Sequence, residues 1–414
     1  MVAQKVLFIG LVWPEPTSSA AGTRIIQLVR FFKERNFEVH FASAAQPSDF
    51  SFDLHSIGAE THQILLNHSS FNVWIKALQP EIVVFDRFMI EEQYGWRVQQ
   101  ECPETMRILD TEDLHFLRKA REVQQKAGVP FTDEALFSDE AKREIASILR
   151  CDLSLIISEE EIRILTEQFK INASILYYLP FLEEEITEDQ TKNWNSFEER
   201  EGFAFIGNFM HEPNWQTVKT LKTEIWPELR KLLPKASMNI YGSYPPQKAL
   251  QLNNKTERFF VHGRTDNAQN TLAKHRILLA PITFGAGIKG KFIDAMQTGT
   301  PNVTTSVGAE SMHKDLPWGG FIENDWKEFC LKAVLLYNHK EEWLKAQQNG
   351  TLILNSLYRK TAFEDLFLTN IKEIYHSLPQ HRQQNFMGEI LKHQSLQSTR
   401  YMSLWIEEKN RKDY

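Results

Sequence analysis

The stretch ILLAPITFGAGIKGKFIDAMQ (277–297) decides how the rest of the chain reads. It begins as a short apolar run, opens into a loop carrying Gly285, Gly287 and Gly290, and resumes as a helix-like segment from Lys291. In parallel α/β sheets, ligands bind at the carboxyl ends of strands, where such loops lie. Glycines let a backbone come close to a ligand, and the free N–H groups and positive dipole end of a helix favour phosphate. Lys289 and Lys291 add charge to that chemistry. Residues 285–291 also fit the Gly-x4-Gly-Lys spacing of an NTP-binding loop, but Phe292 follows where a Ser or Thr hydroxyl would hold Mg²⁺. Such a loop also usually follows the first strand of its domain, and this one follows a late strand. Two readings stay open from the loop alone: a diphosphate site, or a surface turn with two solvated lysines.

Working outward, the same strand–loop–helix grammar recurs. KVLFIGLV (5–12) reads as a buried first strand, not as a signal peptide, and is followed by a Pro/Ser/Gly loop. A helix is expected from about Thr23, with Ile25, Leu28, Val29 and Phe32 on one face. EVHFAS, HQILL, EIVVFD, MRILD, LSLIIS and ILYYLP continue the strands to residue 180. A polar, acidic stretch at 183–202 has no apolar period and reads as a linker. The pattern then restarts with FAFIGN, SMNIYG, FFVHG, ILLAPI and NVTTS. After about residue 325 only helical patterning remains, and Tyr401, Leu404 and Trp405 share one helical face. The expected organisation is two doubly wound α/β units, 1–182 and 203–345, with a helical tail at 346–414 that is either a third small domain or a set of helices packing across both.

Composition narrows the function classes. A 414-residue chain with 42% hydrophobic and 24% charged residues is ordinary for a two-domain globular protein. The net charge of −7 argues against a general nucleic-acid binder, but not against a small phosphorylated ligand. Cys102, Cys151 and Cys330 are too dispersed for a zinc or disulfide framework, which suits a reducing cytoplasm. No run has the length of a membrane span. Peripheral contact with a membrane surface remains compatible with this composition.

In its full context, ILLAPITFGAGIKGKFIDAMQTGTPNVTTSVGAES resembles the nucleotide-sugar segment of GT-B glycosyltransferases, group 1 (family 4-like). The matching features are Pro281, Phe284-Gly285, Asp294 and Gly299-Thr300-Pro301 before the next strand. FIGNFMHEPNWQTVKTL (205–221) resembles the first loop and helix of that family's C-terminal domain, and Gly22-Thr23-Arg24 its N-terminal glycine loop. The resemblance is specific over 203–310 and extends in layout from residue 1 to about 340.

The resemblance implies a GT-B architecture, with two Rossmann-like domains facing a cleft. It implies a glycosyltransferase, in the family's usual form a retaining hexosyltransferase, that needs neither metal nor cofactor beyond its nucleotide-diphosphate sugar. Lys289 and Lys291 would neutralise the leaving diphosphate. Asp294 would accept from the ribose hydroxyls, or else is an acid favouring a helix start. Gly207, His211, Gly242, Gly263, Arg264, Gly285 and Gly287 would line the donor nucleotide. Gly22, Arg24 and Asp86 would belong to the acceptor side. The acceptor itself, whether glycan, lipid-linked or protein, stays open. The chain departs from the family in one respect: Thr283 precedes Phe-Gly where the first of two glutamates is usual, and two extra residues lengthen the loop. That departure keeps open the sugar, the stereochemical outcome and two rivals. One is a GT-B epimerase or phosphorylase; the other is a non-catalytic interaction subunit.

In the N-terminal half, Asp86 and Asp110 end strands, so Arg87, Asp113, His115 and Arg118 are expected near the same sheet edge. Asp113 and His115 are candidate catalytic groups. Equally, Asp113 reads as the cap of a helix starting at Leu114, with His115 on its surface. Asp266 reads as a cap in the same way.

Overall fold

The computed structural model describes residues 4–411. Its first sheet is built from β1 (Lys5–Gly10), β2 (Glu38–Ser43), β3 (Glu60–Gln63), β4 (Ile82–Asp86), β5 (Met106–Asp110), β6 (Leu153–Ile156) and β7 (Leu176–Tyr178). The second is built from β8 (Phe203–Ile206), β9 (Met238–Tyr241), β10 (Phe259–Gly263), β11 (Ile277–Ala280), β12 (Asn302–Thr304) and β13 (Gly320–Ile322). The strand orders are β3-β2-β1-β4-β5-β6-β7 and β10-β9-β8-β11-β12-β13. Every pairing between these strands is parallel.

The inner strands read as unbroken apolar runs because helices cover both faces of each sheet. All five residues of β4 and of β5 are buried. Each sheet reverses its winding direction once, between β1 and β4 and between β8 and β11. The carboxyl edge at such a reversal opens a crevice, since successive connections leave it to opposite sides. The glycine–lysine loop follows β11, so it stands at the reversal of the second sheet.

The structure departs from sequence expectation at several places. HQILL is not a strand throughout: β3 ends at Gln63, and Leu65 and Leu66 are exposed. The three-residue strand β13 is too short to announce itself by periodicity. The stretch 183–202 is anchored at both ends. Glu183 bridges to Arg359, Thr187 and Gln190 form a capping box for a short helix, and Arg200 is buried on Thr298 and Thr300. The expected start of the tail at residue 346 falls inside helix Lys340–Leu357, whose Trp343, Ile353 and Leu354 join the core of the second lobe. The chain then returns to the first lobe, where Phe367, Ile371 and Ile374 of helix Glu364–His376 join its core. In the last helix, Phe386–Arg411, the buried positions include Ser403 and Glu407, which meet Asn67 and Ser69. Tyr401, Leu404 and Trp405 face solvent.

The return crossing is fastened by Arg382. Its guanidinium donates to both carboxylate oxygens of Asp152, at 2.8 and 2.9 Å, and to the carbonyls of Pro103 and Thr105. Burial would raise the Asp152 pKa, but Arg107 and Arg382 together hold it down at about 2. Arg382→Ala should therefore cost about 3 kcal/mol in urea unfolding at neutral pH, because it strips a partner from a buried carboxylate. A folded pKa below the unfolded value of about 4 gives stability that is full above that pH and lost as pH falls through the folded pKa. The deficit of the variant should accordingly shrink in acid.

Candidate functional site

The loop after β11 is pressed between the two lobes. Arg121 of the first lobe donates to the Gly285 carbonyl at 2.8 Å and forms a two-pronged ion pair with Glu310 of the second. The Gly287 N–H donates to Glu161 at 2.9 Å. Gly287 has φ +61°, and a Cβ there would stand 2.8 Å from Cβ of Asp113, so only glycine fits. A Cβ on Gly290 would stand 2.6 Å from that of Ala20. Ala20 opens helix Ala20–Glu34 and Gly290 opens helix Gly290–Gln297, so two helix N-termini meet across the cleft. Their dipoles place positive potential at one spot, which favours an anion there.

Both lysines belong to that spot. Lys289 is nearly buried and donates to the Gly287 carbonyl at 2.9 Å. Lys291 donates to Asn214 at 2.9 Å and lies 5.2 Å from the Phe205 ring centre. Burial, then the neighbouring Lys289 cation, lowers the Lys291 pKa to about 8. Burial raises Asp294 to about 6 against the pull of Gln269 and Lys291. Two cations held in a confined space are unfavourable alone, and a bound anion would relieve them.

The first lobe contributes a facing cluster. Asp113 chelates the Arg118 guanidinium and lies 3.5 Å from Nε2 of His115. Burial would raise the Asp113 pKa, but Arg118, His115 and His211 pull it below the usual range. Burial lowers His115 to about 4, with Asp113 opposing and Arg118 assisting. His211 stands in the loop after β8 with one face open to solvent. Partial burial, then the Arg118 cation, pushes its pKa down, with Asp113 opposing.

Other expected residues take different places. Gly207 and Gly242 pack side by side at the carboxyl ends of β8 and β9. Gly263 ends β10, and Arg264 after it donates to Thr17 of the first lobe at 2.9 Å, its guanidinium 4.0 Å from the Phe50 ring centre. Gly22, Thr23 and Arg24 lie in the first turns of helix Ala20–Glu34 and not in a loop, with Gly22 packed against the Glu15 backbone. Arg24 is buried, donating to Asp110 and to the Leu179 carbonyl, both at 2.8 Å. Asp86 accepts from the Leu11 N–H at 3.1 Å. These last residues form a buried charged layer under the edge of the first sheet, together with Arg87 and Glu112, whose φ values of +73° and +63° are strained for such side chains. Among the described residues, Asp86 Oδ1, Asp110 Oδ2 and Glu112 Oε1 are buried without a hydrogen-bond partner.

Two capping expectations fail. Helix His115–Ala127 begins one residue after Leu114, and Asp113 does not cap it. Glu144 accepts from the N–H groups of His115 and Phe116, and Glu161 accepts from that of Leu114. Asp113 instead answers Arg118, a closer and stronger partner. Likewise Asn267, not Asp266, caps helix Ala268–Leu272, because Asp266 pairs with Arg264.

Glu161 and Arg121 are the residues that sequence reasoning missed. Ser158-x-x-Glu161 after β6 has the spacing of a capping box, and Ser158 does accept from the Glu161 N–H. The Glu161 side chain, however, reaches across the cleft. An open recess of about 240 Å³ lies to one side, lined by Glu159, Glu310, His313 and Lys314. Its lysine is already paired with Glu159, so it offers an anion less than the loop does.

Residues 200–339 match the family described as Glycosyl transferases group 1. That match lies in the second lobe, and the chain has the GT-B fold. Sucrose-phosphate synthase from Thermosynechococcus elongatus superposes with a TM-score of 0.66 at 14% identity, covering 90% of this chain and 100% of that one. HepE from Anabaena, solved with UDP and glucose, gives 0.62 at 11% identity, covering 89% and 99%. TarM from S. aureus, solved as a point mutant with fondaparinux, α-GlcNAc-glycerol and UDP, gives 0.56 at 13% identity over 72% of this chain. This chain spans 57% of TarM. A search of curated proteins finds no match.

Glu161 carries a measurable signature. Burial, then Asp113, raises its pKa to about 8, against the Leu114 and Gly287 hydrogen bonds. A folded pKa above the unfolded value of about 4.3 gives stability that is full below the unfolded pKa and lost as pH rises toward the folded one. Glu161→Gln keeps an acceptor oxygen but cannot ionise. It should match the parent near pH 5 and exceed it near pH 9 by a few kcal/mol in urea unfolding, at about 1.4 kcal/mol per pKa unit.

Proposed function

We propose that this chain transfers a sugar from a nucleotide-diphosphate sugar to an acceptor hydroxyl without a metal ion. The observation that carries the proposal is the meeting of two helix N-termini with Lys289 and Lys291 at the reversal of the second sheet. In transfer, the acceptor oxygen bonds to the anomeric carbon and the bond from that carbon to the β-phosphate oxygen breaks. The electron pair leaves with the diphosphate, where the lysines and the N–H groups of the loop stabilise it. The acceptor's proton passes to a basic oxygen or nitrogen nearby. His115, kept neutral by burial, is a candidate for it, oriented by Asp113. Asp294 accepts from the ribose.

The loop's contacts with the first lobe must part for a donor to enter, so donor binding and lobe motion are coupled in this proposal. Solved neighbours with UDP support a uridine donor. Three buried free cysteines suit a reducing compartment, and among the described residues no helix is long and apolar enough to cross a membrane.

A second reading, a non-catalytic interaction subunit, rests on Thr283, which stands half-buried where a glutamate is usual. Calorimetry with UDP, GDP and ADP, in EDTA and in Mg²⁺, separates these readings. Binding of one diphosphate in EDTA is expected, weakened roughly tenfold or more by Lys289→Ala or Lys291→Ala, as for loss of a charge-assisted hydrogen bond. Absence of binding to all three would favour the interaction subunit. Affinity should also be bell-shaped in pH, with limbs near the Asp294 pKa of about 6 and the Lys291 pKa of about 8. Lys291→Ala should erase the upper limb.

A further inference from the structure

The far edge of the first sheet holds a second cluster that sugar transfer does not use. Strand β2 carries Glu38-Val39-His40, and β3 carries Glu60-Thr61-His62. In their parallel register His40 lies beside Glu60 and Ala42 beside His62. Side chains alternate along a strand, so Glu38, His40, Glu60 and His62 all share one face. Nδ1 of His40 is 3.0 Å from Nε2 of His62 and 3.4 Å from a Glu60 carboxylate oxygen. One ligand atom from each of the three lies within 4.8 Å of the others.

The orientation of His40 is fixed from behind. Its Nε2 lies 2.9 Å from the Glu38 carboxylate, to which it donates. A neutral ring then carries a bare lone pair on Nδ1, aimed at His62 and Glu60. A carboxylate holding the remote nitrogen of a histidine is the usual support behind a metal ligand. His40 is 2% exposed, so its ring cannot swing away, and His62 is braced by the Trp74 ring at 4.9 Å. Glu60 is largely open to solvent, which leaves a path for an ion and a place for water as a further ligand.

We propose that His40, His62 and Glu60 form a divalent transition-metal site, with Glu38 as the residue that positions His40. Two imidazole nitrogens and one carboxylate oxygen suit zinc, whose tetrahedral ligands stand about 3.4 Å apart. Without the ion, the His62 Nε2–H donates to His40 Nδ1. Binding switches the His62 tautomer, its proton moving from Nε2 to Nδ1, and opens the pair by a few tenths of an ångström. The ion would clamp the four-residue edge strand β3 to β2, at the opposite edge of the sheet from β7.

The test uses the tag-free full chain after treatment with a chelator. Titration with Co²⁺, followed by visible absorption, should give one saturable site with the d–d bands of a four- or five-coordinate nitrogen–oxygen set. Zn²⁺ should displace it and raise the melting temperature. His62→Gln and Glu60→Gln, both at partly or fully exposed positions, should retain the parental circular dichroism and lose about tenfold or more in affinity. Absence of a saturable site in the parent would overturn the assignment, as would a His62→Gln protein that binds within about twofold of the parent.

Discussion

One buried carboxylate ties the two lobes at the point where chemistry is proposed. Glu161 accepts from Leu114, at the start of a first-lobe helix, and from Gly287, in the loop of the second. Both donors are backbone N–H groups that would otherwise be orphaned at helix and loop ends. Meeting them with one side chain fixes the loop against the first lobe. The constraint propagates. Gly287 must be glycine because Asp113 stands behind it, and Lys289 must fold back on the Gly287 carbonyl. The cost is a carboxyl group held in a poorly solvated place, which explains its raised pKa.

The rest of the cleft shows the same balance of local cost against placement. Lys291 and Asp294 shift in opposite senses, the lysine down and the acid up. Both groups are half-buried, and both shifts mark charges that a bound ligand would favour. Arg87 and Glu112 hold left-handed backbone at the edge of the first sheet, in contact with a layer of unsatisfied carboxylate oxygens. Strain and unpaired polar atoms of this kind gather at working surfaces and are otherwise removed. The helical crossing from Arg359 to Arg382 brings the chain back to the first lobe, so both lobes share one closing element.

Much of this was legible in the sequence because parallel α/β units announce themselves. VLFIG, IVVF and ILLA are apolar throughout, since both faces of an inner strand are covered. The glycine–lysine loop was legible through spacing and position after a strand. What stayed hidden were partnerships at long range in the chain. Nothing near Asp113 indicates that Glu144 and Glu161 will cap its helix, because those residues lie 28 to 47 positions beyond the amides they accept from. Arg121 is separated from Glu310 by 189 positions. The edge elements were misread for a different reason: β13 is three residues long, and the apolar run at 64–66 passes out of the sheet into an exposed turn. The pairing of His40 with His62 and Glu60 was likewise invisible until strand register was known.

The central claim is that the loop after β11, with the loop after β8, holds the diphosphate of a sugar nucleotide. Hydrogen exchange of the full chain, in EDTA, with and without its tightest-binding nucleoside diphosphate, tests it most directly. The account predicts slowed exchange at the amides of residues 284–291 and 206–211, where the backbone N–H groups would turn to phosphate. Unchanged exchange there, with protection confined to other segments, would contradict it.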